Sequence, residues 1–304
     1  MSLTISGVFG PVVTTFQAGT GELDLAGFAK NLRAHLEAGM HGIVVAGSTG
    51  EAALLDERER ASLVETAREI IPRDKLLIVG TGAESTRAAQ RQTRLAADRG
   101  ADAVLVVAPH YYGAKAMSSV ALRAHYTAIA DASPVPMVLY NIPKYMHFSL
   151  APQLVSELAQ HANIVGIKDS SGDLELLAGY LKAQSDRFTV LTGNGSTFKQ
   201  ALAMGARGGI LAVSLFATGL SVDIYTAITE GGPEGAVTGD QAQQRLTPLS
   251  GRIVGDMGVP GVKAALDRLG LVGGPPRSPL LPLGAPELAQ VAELLRAAEL
   301  SLAA

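Results

Sequence analysis

The sequence predicts an α/β fold, a closed (βα)8 barrel followed by a helical C-terminal extension, and three observations carry that expectation. Eight short, largely β-branched apolar runs alternate with segments whose apolar residues recur at helical spacing. One junction, a capping glycine, a short loop and a buried run, recurs as Ala38-Gly39-Met40-His41-Gly42-Ile43-Val44-Val45, Arg99-Gly100-Ala101-Asp102-Ala103-Val104-Leu105-Val106 and Met204-Gly205-Ala206-Arg207-Gly208-Gly209-Ile210-Leu211. The runs follow one another too closely for a second domain to lie between them, and the 304 residues exceed the ~250 that such a barrel needs. A doubly wound open sheet is the runner-up.

Residues 7–13 read as strand one, and residues 24–38 as a helix with Leu25, Phe28, Leu32 and Leu36 on one face, ended by Gly39. Residues 41–46 are strand two. Residues 56–71 are a helix that starts with acidic residues and closes before Pro72, as the helix dipole and proline sterics favour. Residues 76–80 are strand three, 84–99 a helix capped by Gly100, and 103–108 strand four. A helix at 118–132 leads to strand five at 137–140, and a helix at 151–160 to strand six, which ends at Lys168. Strand seven, 188–191, follows with no helix assigned before it. A helix at 197–204 precedes strand eight, 209–213. Beyond Val213 only helices are expected, at 222–229, 241–254, 262–269 and 286–302, so the barrel domain is placed at 1–224 and the extension at 225–304. Gly273-Gly274-Pro275-Pro276 and residues 279–286 make an extended strap before the last helix.

Composition narrows the function. Apolar residues are 47% and charged residues 17%, with a net charge of −3 and no lysine or arginine cluster, which argues against a nucleic-acid or anionic-membrane partner and for small-molecule chemistry. The absence of cysteine removes disulfides, thiolate nucleophiles and the usual structural zinc sites. No run reaches the ~20 apolar residues that span a bilayer, and no export signal opens the chain, so a cytoplasmic protein is expected.

In a barrel of this kind the reacting groups lie where strands end and βα loops begin. Lys168 closes an otherwise apolar run, Asn163-Ile164-Val165-Gly166-Ile167-Lys168. Desolvation there disfavours the ammonium, lowers the pKa and leaves more free amine to attack a carbonyl. The plainer alternative is a lysine that snorkels to water or pairs with Asp169. Strand two ends in Gly47-Ser48-Thr49-Gly50-Glu51, strand four in Pro109-His110-Tyr111-Tyr112, strand five in Tyr140-Asn141-Ile142-Pro143, and strand six in Lys168-Asp169-Ser170. Imine chemistry needs an amine nucleophile, a group that moves protons, and an anchor for a carboxylate. Lys168, Tyr140 and the Ser48-Thr49 loop fill those roles, with Ser48 and Tyr111 as links in a hydroxyl relay, because a phenol near pKa 10 is a poor free base at neutrality. Gly80-Thr81-Gly82-Ala83-Glu84-Ser85 has some likeness to a dinucleotide loop and equally suits a helix cap. Histidine spacing supports no metal site, and no Gly-Lys-Ser/Thr follows a glycine loop.

These ordered motifs resemble the pyruvate-dependent class I aldolases and synthases typified by dihydrodipicolinate synthase and N-acetylneuraminate lyase, over nearly the whole chain. Gly47-Ser48-Thr49-Gly50-Glu51 resembles that family's Gly-Thr/Ser-Thr-Gly-Glu loop, Tyr140-Asn141-x-Pro143 its catalytic tyrosine segment and Gly166-Ile167-Lys168-Asp169 its Schiff-base lysine segment. The resemblance implies a TIM barrel and a homotetramer built as a dimer of dimers. It implies an imine between pyruvate and Lys168 with no separate cofactor or metal, and Tyr140 as the proton shuttle. Ser48 and Thr49 become the pyruvate carboxylate site, and Ser170 and Leu211 are further expected substrate-binding residues. Tyr111, or Tyr112 one position on, matches the relay tyrosine lent across a subunit interface.

Within the family, Met117-Ser118-Ser119, the segment from Gly166 to Asp173 and Gly273-Gly274-Pro275-Pro276-Arg277-Ser278-Pro279-Leu280 look most like the 4-hydroxy-2-oxoglutarate aldolase branch. Dihydrodipicolinate synthases carry an arginine two residues after the proline of the tyrosine motif, which holds the semialdehyde's carboxylate; Tyr145 stands there. The expectation is therefore a 4-hydroxy-2-oxo acid aldolase, with pyruvate and an aldehyde as substrates. The alternatives are the synthase, a 2-keto-3-deoxy sugar acid aldolase or dehydratase and, outside enzymes, a 2-oxo acid sensor.

Overall fold

The structure, a computed structural model, describes residues 5–303. Eight parallel strands close into a barrel in chain order: β1 Gly7–Pro11, β2 Gly42–Val45, β3 Leu76–Gly80, β4 Ala103–Val107, β5 Met137–Asn141, β6 Ile164–Asp169, β7 Thr189–Thr192 and β8 Gly208–Ile210, with β8 hydrogen-bonded back to β1. All but the first residue of β3 and the last of β4 are buried, as strands covered on both faces must be, which is why they read as nearly continuous apolar runs. The open-sheet runner-up is excluded by closure. Register places Tyr140 of β5 beside Lys168 of β6, and Lys168 beside Leu191 of β7.

Helix starts follow local capping. Asp24 accepts from the Gly27 N–H, Ser118 from the Ala121 N–H, and Asp56 with Glu59 forms a reciprocal capping box. Ser85 accepts from the Ala88 N–H and starts the helix Thr86–Asp98, two residues later than expected. The loop with a dinucleotide-like pattern is thus a helix cap, and the hydroxyls of Thr81 and Thr93 are 2.9 Å apart behind it.

Four elements depart from expectation. A helix unassigned from sequence, Leu174–Leu181, crosses from β6 to β7, its N-terminus set by the Asp173 carboxylate accepting from the N–H groups of Glu175 and Leu176. β8 ends at Ile210, and Ala212–Leu215 is a 3₁₀ turn in which the Ser214 hydroxyl donates to the Leu211 carbonyl. The helix Thr218–Thr229 packs on β1 and on the helix Phe198–Ala203, so the expected boundary at 224/225 falls inside a helix of the barrel's outer ring. Finally, the helix Gly232–Pro248 does not stop at Pro248. The proline brings no N–H to the ladder, and from Leu249 to Asp256 the chain widens into a π-helix. The helices Gly258–Arg268 and Ala285–Ala297 complete the C-terminal part, joined by an extended strap. Among the described residues no helix is long and apolar enough to cross a membrane.

Two buried histidines make the fold acid-sensitive. His35, in the helix Leu25–Glu37, is 2% exposed, its Nε2 has no hydrogen-bond partner among the described residues, and burial pulls its pKa from 6.5 down to about 4. His125 is likewise lowered to about 4 by burial, with Glu84 opposing. A lowered folded pKa means that the unfolded chain binds the proton first, so this stability is complete above pH 6.5 and lost as pH falls toward 4. For His35 the loss is about 3 kcal/mol at most. Urea titrations from pH 7.5 to 4.5 should show His35→Gln with a slope shallower than wild type by about one proton; equal slopes would assign the acid sensitivity elsewhere.

Candidate active site

Lys168 and Tyr140 stand on neighbouring strands at the C-terminal rim of the barrel. Lys168 is 5% exposed and Tyr140 4%. The lysine Nζ lies 4.1 Å from the centre of the Tyr140 ring, a cation–π distance for the ammonium and an open approach for the free amine. Among the described residues Nζ has no hydrogen-bond or ion-pair partner. The plainer reading fails on this geometry: the side chain does not reach bulk water, and the Asp169 carboxylate is engaged elsewhere. The Asn141 amide donates to Asp169 Oδ1 at 2.8 Å, the Ser171 N–H to the same oxygen at 3.1 Å, and the Ser171 hydroxyl to Oδ2 at 2.7 Å. Burial pushes the Asp169 carboxyl above the usual range, against those three donors. Asn141 Oδ1 in turn accepts from the Leu150 N–H at 2.9 Å. This network locks the ends of β5 and β6, and with them the approach of Tyr140 to Lys168.

The loop after β2 is held in an uncommon backbone conformation. Ala46 and Glu51, at its two ends, have φ of 52° and 57°, a left-handed region that costs a residue with a Cβ about 1–2 kcal/mol. The turn is closed by the N–H groups of Gly50 and Ala52, which donate to the Gly47 carbonyl, and the Thr14 hydroxyl donates to the Gly50 carbonyl at 2.6 Å. The turn presents Ser48 and Thr49 to the cavity that Lys168 and Tyr140 also line, a space of about 190 Å³. Among the described residues the hydroxyls of Ser48, Thr49, Tyr140 and Ser170 have no protein hydrogen-bond partner, which leaves four donors and acceptors for a ligand.

Ser170 lines the same cavity, as expected. Leu211 does not: it is wholly buried, and its neighbours Ile210 and Ala212 line the cavity instead. The cause is parity. Alternate residues of a barrel strand face opposite sides, and Leu211 lies just past the end of β8, on the side away from the site. Tyr111 and Tyr112 are 79% and 74% exposed and pack edge to face against each other, outside the chain's own cavity. The Glu84 carboxylate fixes their loop by accepting from the N–H groups of His110 and Tyr111.

Several wall residues were not expected. Gly193, after β7, passes so close to Lys168 that an added Cβ would sit 2.8 Å from the lysine Cε and 1.9 Å from the Ser170 hydroxyl, so only glycine leaves the lysine its path. Asn194 and Ser196 follow it into the wall; they stand at the end of a strand, where the same rule that found Lys168 would have found them. Ser250 and Gly255 of the π-helix close the far side. Lys144 donates to the Gly255 carbonyl at 2.7 Å and ties the loop after β5 to that helix. Beside Lys144 stands Tyr145, whose phenol is pushed up by burial and by Tyr140. It remains a neutral hydrogen-bonding group where a guanidinium would carry charge. Tyr145, Lys144 and Ser48 also face a second, wider chamber of about 1050 Å³ that opens outward past Glu84 and His110. Among the described residues no group of three histidine or carboxylate side chains could hold a metal ion.

A family model described as the dihydrodipicolinate synthetase family matches residues 4–298. A 4-hydroxy-tetrahydrodipicolinate synthase of Exiguobacterium is 35% identical over 280 residues, covering 92% of this chain and 93% of that one. A second protein of that name, from Methanosphaerula palustris, is 36% identical over 291 residues, covering 95% and 98%. The solved structure of the chloride-inhibited dihydrodipicolinate synthase from Acinetobacter baumannii complexed with pyruvate is 30% identical, with a TM-score of 0.91 over 98% of this chain and 100% of that one.

Proposed function

The chain belongs to the dihydrodipicolinate synthetase family of Schiff-base, pyruvate-dependent lyases, and from that premise we propose that it joins pyruvate to an aldehyde through an imine on Lys168. The observation that carries the reading is the meeting, in one cavity, of an unpaired buried amine, a phenol against it and two loop hydroxyls. The amine of Lys168 adds to C2 of pyruvate, and Tyr140 carries protons between the carbinolamine and the relay through Ser48, so that water leaves and the imine forms. Ser48 and Thr49 hold the pyruvate carboxylate. Loss of a C3 proton gives the enamine, whose carbon attacks the aldehyde. With a simple aldehyde, water hydrolyses the imine and takes back what its formation released; with an amino aldehyde, the substrate's own amine displaces Lys168 from C2 and closes a ring, so one water is lost overall. No cofactor enters this scheme beyond the covalent imine.

The proposed reaction is that of a 4-hydroxy-tetrahydrodipicolinate synthase, with aspartate semialdehyde as acceptor. The names of the relatives favour this alternative over the expected 4-hydroxy-2-oxoglutarate aldolase, for which they offer no support. Among the described residues Lys144 is the one cationic side chain besides Lys168 on the cavity wall, and it is the candidate partner for the semialdehyde's carboxylate. One observation favours a second reading. Tyr145 offers a single neutral hydrogen bond where arginine would offer a charge-assisted, bidentate pair, which suits glyoxylate or a short sugar-derived aldehyde better. The test is kcat/KM for aspartate semialdehyde, glyoxylate and glyceraldehyde at saturating pyruvate. We expect the semialdehyde to lead. A lead of more than about tenfold for either of the others, or 1.4 kcal/mol in transition-state binding, would transfer the assignment to the aldolase.

The same reading supplies the assembly. Tyr111 has no role in its own chain's cavity and is exposed, so in a cytoplasmic homotetramer it serves a neighbouring subunit's relay. One solved relative is described as a monomeric variant, so sedimentation of this chain is the direct check.

A further inference from the structure

The turn that carries Ser48 and Thr49 is anchored from below by charge. Glu51, its last residue, is buried with its side chain wholly inaccessible, and so is the side chain of Lys263 on the helix Gly258–Arg268, 1% exposed. Lys263 Nζ lies 2.5 Å from Glu51 Oε1, donates to the Pro275 carbonyl at 2.8 Å and sits 4.6 Å above the Phe16 ring. Glu51 Oε2 accepts from the Arg277 N–H at 2.8 Å. The Arg277 guanidinium packs on Phe16 at 4.1 Å and grips both oxygens of Glu59, the partner of Asp56 in the capping box of the helix Glu57–Ile70. The strap is pressed directly onto the lysine's helix, since a Cβ on Gly273 would lie 2.0 Å from the Lys263 carbonyl oxygen.

An apolar pair of similar size would fill this space without desolvating two charges, so stability alone does not require a buried ion pair here. What charge adds is a directed contact. Burial pulls Lys263 below the usual lysine range, and the Glu51 carboxylate beside it opposes that pull. The contact joins the turn to the helix whose Val259 and Val262 line the cavity.

We infer that Glu51 and Lys263 are positioning residues that set where Ser48 and Thr49 meet the substrate carboxylate, through a buried ion pair linking the turn after β2 to the cavity-lining helix and the strap. The inference rests on the reading of Ser48 and Thr49 as the carboxylate anchor.

Borohydride trapping with pyruvate tests both in one design, on wild type, Glu51→Gln, Lys263→Met and the double variant, each checked for fold by circular dichroism. The single variants should need about tenfold more pyruvate for half-maximal labelling of Lys168 and show a raised KM for pyruvate, with the limiting labelling and the KM for the aldehyde unchanged. Glu51→Asp should recover part of the affinity. The double variant removes the uncompensated charge, so it should regain thermal stability but not pyruvate affinity; a merely structural pair would regain both. Wild type that pyruvate and borohydride fail to label would sink the imine reading itself. Labelled wild type with folded variants of unchanged pyruvate affinity, or a double variant that binds pyruvate as wild type does, would overturn this inference alone.

Discussion

Lys168→Ala will remove both turnover and borohydride labelling while leaving the fold at least as stable as wild type. The two halves come from one fact, that the amine is buried with no counter-charge among the described residues. Alanine leaves nothing to form the imine, so kcat/KM should fall by about 10⁵-fold or more, the scale on which a covalent nucleophile is missed. It also removes a polar group from a site that gives it no partner, which relieves a desolvation cost, so the melting temperature should hold or rise. Mass spectrometry of wild type treated with pyruvate and borohydride should find the added mass on the peptide carrying Lys168. A label on Lys144 or Lys263, or residual activity above about one part in a hundred in the alanine variant, would show that the nucleophile had been assigned to the wrong residue.

Much of this site can be read in the sequence because parallel strands covered on both faces admit few polar residues. A lysine at 168, a tyrosine at 140 and a hydroxyl pair at 48 and 49 interrupt or follow apolar runs, and the barrel topology brings all such interruptions to one rim. The helix starts were legible for a similar reason. Asp24, Asp56 and Ser118 each satisfy an N–H that the helix itself leaves unpaired. What failed lacked such punctuation. Leu174–Leu181 is apolar on most of its surface and shows no clear stripe, so only Asp173 marked its start. The glycine-rich run into Leu211 has no polar residue to mark where β8 stops, and Leu211 was expected from the family resemblance alone, so nothing in its own segment indicated which face it takes. The π-helix wall was read only as the end of a helix at 241–254. Nothing in the local sequence says that it widens after Pro248 or faces the site, and it is tertiary contact, including the Lys144 bond to the Gly255 carbonyl, that holds the segment there. The expected relay tyrosine is the extreme case, since its partner would lie in another chain.

Tyr140→Phe separates proton transfer from architecture more cleanly than any other change in this site. The ring packs against Lys168 at 4.1 Å, and phenylalanine keeps that face, so the position of the amine should not change. The hydroxyl bonds to no protein group among the described residues, so its loss strands no buried partner and should not lower the melting temperature. What disappears is the group placed to move protons on and off the carbinolamine. The expected result is therefore a fall in kcat of roughly 10²–10⁴, the range that a positioned acid or base contributes. KM for pyruvate should stay within about threefold, because the proposed carboxylate anchors, Ser48 and Thr49, are untouched. Single-turnover trapping should locate the loss in formation of the imine, with labelling slower at every pyruvate concentration but reaching the same limit. If kcat in the phenylalanine variant stays within about threefold of wild type, another group moves the proton. Tyr145 is then the first to examine, since it lines the same cavity close enough to Tyr140 for that phenol to push its own pKa up.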